Sequence, residues 1–133
     1  MDKNELIQFW IQSSDEDAKT TDHLFQSGDF SWSLFIGHLT VEKLLKAYYV
    51  ATVDENIPFT HNLIAIIKKT GIDLTDEKLM LLSDITSFNI AARYEDYKDS
   101  FRKKCTKEFT ESYLIKIREL NLWIKSLIKK HQI

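Results

Sequence analysis

One proline and three glycines among 133 residues are too few turn residues for a many-stranded β fold, which needs a turn signal about every 8–12 residues. Long helices with few connections are what remains. Cysteine is scarcer still: a lone Cys105 has no partner for an internal disulfide. Charge of either sign is not in excess, because 18 basic and 20 acidic side chains leave a formal net charge of −2. No overall field therefore draws the chain to nucleic acid or to an anionic membrane, and any such binding has to be local. No apolar run approaches the ~18 residues of a membrane span, since Glu42, Lys43 and Lys46 interrupt the most hydrophobic segment, so no membrane association is expected. The opening MDKNELIQFW lacks the basic region and clean apolar stretch of a secretory signal, and a reducing cytoplasm is the expected compartment. His23, His38, His61 and His131 show no ligand spacing and Cys105 has no Cys or His close by, so no metal site is expected. GxxxxGK[ST], GxGxxG and GxSxG are all missing, which removes the support for kinase, dehydrogenase and hydrolase readings.

What is present is 44% hydrophobic residues, enough for one continuous core and, at this length, one domain over 1–133. The pattern predicts an all-α, up-and-down four-helix bundle with an additional short helix, about five helices in all. Residues 4–27 read as a first helix, with Leu6, Trp10, Asp17, Thr21 and Leu24 near one side, closed by Gly28. Asp29 or Ser31 starts a second helix running to about 52, apolar over so much of its circumference that it belongs at the centre. Beyond Pro58, Thr60 or Asn62 caps a short helix over 62–70 that ends at Gly71. Asp73 and Thr75 precede a helix over 76–93 whose best-packed side is Leu81, Ile85, Phe88 and Ala92. The charged run RYEDYKDSFRKKC is left open as loop or extra turn. Thr106 then caps a last helix with a seam of Tyr113, Ile117, Leu120, Ile124 and Leu127.

Four groups of polar residues stand out. His38, Glu42 and Lys46 recur at intervals of four, forming one polar stripe beside Phe35 and Leu39, which reads either as an intrahelical ion pair with a hydrogen-bonded imidazole or as a binding pocket. Asp17, facing inward, requires a cation from Lys43, Lys46 or Arg93. Asn89 and Arg93 lie one turn apart, with Glu95 and Asp96 following. The Arg93 guanidinium fork suits two phosphate oxygens, or else it ties down the next loop. Arg102, Lys103, Lys104 and Lys107, near Phe101, make either a solvated run or a patch for a phosphate backbone.

Trp10, DEDA at 15–18, LF at 24–25, FIGHLTVEKLLKAYYV at 35–50, Pro58 with THNL at 60–63, and NIAARYEDY at 89–97 together resemble the HEPN (higher eukaryotes and prokaryotes nucleotide-binding) family over nearly the whole chain. The resemblance is to its small stand-alone prokaryotic branch. It implies a helical bundle, a homodimer, a nucleotide ligand with no other cofactor, and partnership with a minimal nucleotidyltransferase, in some pairs as toxin and antitoxin. Ribonuclease members carry Arg followed four to six residues later by His. After Arg93 the corresponding stretch runs through Lys98, Asp99 and Ser100, so that pair is missing and the chain on its own is expected not to be an enzyme. The resulting expectation is a nucleotide or phosphate site built from Arg93, Lys46, Lys43 and His38, with Asp17, Glu42, Asn89 and Asp96 orienting the cations, no catalytic residue, and RNA a weaker candidate than a nucleotide. Two alternatives stand beside it: a metal-independent ribonuclease toxin using Arg93 with His38 or Asp99, and an interaction module in which every polar residue is structural.

Overall fold

The structure is a computed structural model that describes residues 1–132. Its described residues form six helices: α1 (Lys3–Gln26), α2 (Phe30–Thr52), α3 (Leu63–Lys68), α4 (Asp76–Ala91), α5 (Glu95–Lys104) and α6 (Lys107–Lys130). Side-chain oxygens satisfy the free N–H groups at four of the starts: Asp2 at α1, Asn62 at α3, Thr75 at α4 and Thr106 at α6. Asp29 stands at the start of α2 without a side-chain capping bond. Gly28, at φ +84°, and Gly71, at φ +76°, take the left-handed conformation that lets the chain turn away after α1 and α3.

The side-chain pairings give the topology. Ser14 donates to the carbonyl of Thr40, and Ser33 to that of Thr21, at 2.8 and 2.9 Å, so α1 and α2 run antiparallel. Asn121 donates to the Thr40 hydroxyl and His131 packs on Tyr48, so α6 runs parallel to α2. Tyr113 meets Asp84 and Lys78 covers Trp123, so α4 opposes α6. The four long helices thus alternate up and down, and α2 touches every other helix. Leu34, Val41, Leu44 and Leu45 on it are fully buried, as its sequence requires. No helix among the described residues is long and apolar enough to cross a membrane.

The all-α up-and-down bundle is as expected, and the charged run that the pattern left open folds as α5, a short helix besides α3, its Phe101 buried against Phe88 at 5.6 Å while the charges stay outside. Several local expectations need correcting. The helix expected over 76–93 stops at Ala91, which puts Arg93 just past its end. Its fully buried leucine is Leu82, with Leu81 only partly covered. In α1 the buried line is Ile7, Ser14 and Thr21, with Leu6 and Trp10 to its side. In α6 the seam runs through Leu114 and Ile128, leaving Tyr113 and Leu127 at the border.

Gly37 lies where α2 packs tightly against α6: a Cβ there would sit 3.1 Å from Ile117 Cδ1 and 3.6 Å from Leu114 Cδ2. Alanine gains about 1 kcal/mol in helix propensity and loses a comparable amount to crowding. Gly37→Ala is therefore expected to leave the urea midpoint nearly unchanged. Gly37→Val, which cannot fit by shifting one methyl, is expected to cost about 2 kcal/mol.

Candidate functional site

One face of α2 and the loop before α3 converge on Glu42, and the end of α4 adjoins that face where Arg93 covers Phe35. The Glu42 carboxylate is only 4% exposed, a position in which an ionised group needs several partners. Lys46, one turn on, reaches Oε2 at 3.3 Å. His61 Nδ1 lies 2.8 Å from Oε1. His38 Nε2 is 3.8 Å from the same oxygen and 3.1 Å from the carbonyl of His61. With acceptors on that side only, Nε2 carries the proton and donates to the His61 carbonyl. His38 Nδ1 is then a buried nitrogen with no hydrogen-bond partner among the described residues.

Burial pushes the pKa of His38 down from the ordinary histidine value, and the nearby His61 and Arg93 act in the same direction. The His61 carbonyl and the Glu42 charge oppose them less strongly. His38 is 0% exposed and neutral, so it positions its neighbours and does not itself meet solvent. Beyond it, the Phe35 ring stacks on His38 at 6.5 Å, and the Arg93 guanidinium lies over Phe35 at 5.4 Å and over Tyr94 at 5.8 Å. Arg93 Nε donates to the Asn89 carbonyl at 3.0 Å, which fixes the plane of the fork. Arg93 is exposed and makes no ion pair among the described residues. At the other end, Lys46 Nζ covers the Trp10 ring at 4.8 Å. A row of side chains from three segments, Arg93, Phe35, His38, His61, Glu42 and Lys46, thus holds one buried carboxylate and two permanent cations. Its local balance is positive although the whole chain is slightly acidic.

The HEPN domain model matches this chain over residues 7–127. The chain belongs to the HEPN family. Searches of curated proteins and of solved structures return no match.

Not every expected residue of the HEPN domain joins the row. Lys43 pairs with Asp17 at 2.6 Å on the seam between α1 and α2, each side chain about one-fifth exposed, and the two charges cancel there. Asn89 is buried beneath Arg93, with Oδ1 lacking a hydrogen-bond partner among the described residues. Asp96 is exposed on the first turn of α5, and the side chain of Glu95 lies outside the described residues. Arg102, Lys103 and Lys104 are exposed on the last turn of α5, where they complement the helix dipole. Burial raises the Cys105 thiol to about 11 against a weaker opposing effect of Lys104, which keeps it protonated and unreactive.

The residue that sequence reasoning placed outside the site is His61, expected to do no more than cap or pack at the start of α3. It is the only imidazole in the row that meets solvent, with its side chain 54% exposed and Nδ1 held by a buried acid. The available signal was indirect: Glu42 faces an apolar surface and calls for more than one donor, and His61 follows the Pro58 turn that brings the chain back over α2.

Proposed function

We propose that this HEPN domain binds a nucleotide through its phosphate, with Arg93 as the principal contact and Lys46 and His61 at the edge of the same site. The observation that carries the reading is Arg93 itself. It is an exposed guanidinium with one nitrogen tied to the backbone, its plane set by two aromatic rings, and its remaining donors without a hydrogen bond among the described residues. Such a fork gives bidentate hydrogen bonds to phosphate at little entropic cost, because its orientation is fixed before the ligand arrives. The positive local balance supports an anionic ligand over a neutral one. Catalysis by His38 has no such support, since that ring is sealed from solvent, and Asp99 is an exposed residue of α5 with no hydrogen-bond partner among the described residues.

In this reading the chain is the binding or regulatory half of a pair. It works as a homodimer beside a minimal nucleotidyltransferase, as in toxin–antitoxin arrangements, in a cytoplasmic setting. Family membership and the fixed arginine support this.

Isothermal titration tests the core of the proposal. ATP and GTP are expected to give heats well above dilution at millimolar ligand or below. Arg93→Ala is expected to weaken binding by about tenfold or more, as loss of one charge-assisted bidentate contact does. Because Arg93 is exposed, the variant is expected to unfold at the wild-type urea concentration. Absence of heat from both nucleotides at millimolar concentration would overturn the reading.

A further inference from the structure

We propose that His61 accepts a hydrogen bond from a ribose hydroxyl of the ligand whose phosphate Arg93 holds, so that the site selects ribonucleotides over their deoxy analogues. The inference rests on the nucleotide reading above and adds to it the group that distinguishes one nucleotide from another.

It begins with proton bookkeeping on a single ring. An ionised carboxylate only accepts hydrogen bonds, so Glu42 Oε1, 2.8 Å from His61 Nδ1, places the ring proton on Nδ1. In the neutral imidazole Nε2 is then a bare acceptor. No hydrogen bond to Nε2 is made among the described residues, and the side chain is half exposed, so this lone pair is left without a partner on a ring that meets solvent.

The ring is also held still. The His61 carbonyl accepts from His38 Nε2–H at 3.1 Å, so the residue is clamped to α2 through both its main chain and its side chain. On one side Thr60 Oγ1 accepts from the Asn62 N–H, and on the other the Leu63 N–H donates to Thr86 of α4. His38, which serves as one jaw of the clamp, is completely buried and has no other visible task.

A fixed lone pair repels phosphate oxygens, which are acceptors themselves, and calls for a donor. The donors nearest the phosphate of a nucleotide are its sugar hydroxyls. The Arg93 guanidinium lies 5.4 Å from the Phe35 ring, Phe35 lies 6.5 Å from His38, and His38 lies 6.3 Å from His61, so the cation for the phosphate and the acceptor for the hydroxyl belong to the same row of side chains. A site that fixes a partner for a hydroxyl discriminates against the ligand that lacks it, because the partner is then left without a bond.

The test is a set of titrations at pH 8 with ATP, 2′-deoxy-ATP and 3′-deoxy-ATP, which present the same phosphates to Arg93. Wild type is expected to bind one of the deoxy analogues about tenfold more weakly than ATP, a difference worth one hydrogen bond. His61→Ala is expected to bind all three alike, at the affinity of the disfavoured analogue. That substitution removes a half-exposed ring, leaves Lys46 as the partner of Glu42, and does not touch the apolar core. The 15N resonances of the His61 ring give an independent reading, expected to show the proton on Nδ1. Equal affinities for the three ligands in wild type, discrimination that survives His61→Ala, or a proton on Nε2 would each overturn the proposal while leaving the nucleotide reading standing. No heat from any of the three would instead sink the nucleotide reading.

Discussion

Alanine at position 42 is expected to lower folding stability by about 3 kcal/mol, seen as a fall in the urea midpoint at constant slope. Glu42 is almost completely withdrawn from water, and its two oxygens serve Lys46 at 3.3 Å and His61 at 2.8 Å. Removing the carboxylate leaves these donors without their acceptor and opens a gap beneath His38. Loss of one partner from a fully buried ion pair costs about 3–5 kcal/mol. The lower end applies here because the Lys46 side chain is 19% and that of His61 54% exposed, so both can turn to water. Glu42→Gln keeps the shape and one acceptor oxygen, and is expected to cost about half as much. A midpoint for Glu42→Ala within about 0.5 kcal/mol of wild type, the range of an ordinary surface substitution, would show that the carboxylate is not the anchor described above.

The ion-pair content of that anchor was half legible. Intervals of four put His38, Glu42 and Lys46 on one stripe, and the structure shows the Glu42–Lys46 pair that this spacing allows. His61 contributes through the third dimension: only the path of the chain between α2 and α3 brings it over Glu42, and no periodicity encodes that path. The same distinction explains the fold. Caps at Asn62, Thr75 and Thr106, the glycine stops and the central position of α2 follow from local chemistry, and they were readable. The buried line of α1 was only partly so, since Ser14 and Thr21 are small and polar. They are buried because they let α1 lie close to α2 and give their hydroxyls to backbone carbonyls; helical spacing puts Thr21 on the packed side, whereas Ser14 is passed over in a search for apolar side chains. For Asp17, three cations were equally available in sequence, and the antiparallel pairing of α1 with α2 selects Lys43.

His38 sets the second large effect, a dependence of stability on pH. In the unfolded chain the ring takes up a proton near the ordinary value of 6.5, whereas in the folded protein burial holds its pKa below that. Protonation would place a second N–H on Nδ1, which has no acceptor among the described residues, and a charge in a cavity with no water contact. The His61 carbonyl and Glu42 favour the charged ring, the His61 side chain and Arg93 disfavour it, and burial is the largest of these effects. Between the folded and unfolded values the unfolded state therefore binds more protons. The stabilisation due to a neutral His38 is complete above pH 6.5 and declines as pH falls towards the folded value, by up to about 1.4 kcal/mol per pH unit. Urea midpoints taken between pH 8 and pH 5 are expected to fall more steeply in wild type than in His38→Gln, whose amide can donate to the His61 carbonyl and cannot titrate. The difference between the two curves removes the contribution of the other histidines. Identical curves, or a His38 ring that titrates at 6.5 or above when followed by NMR in the folded protein, would mean that the ring is not the sealed, neutral strut on which the placing of His61 depends.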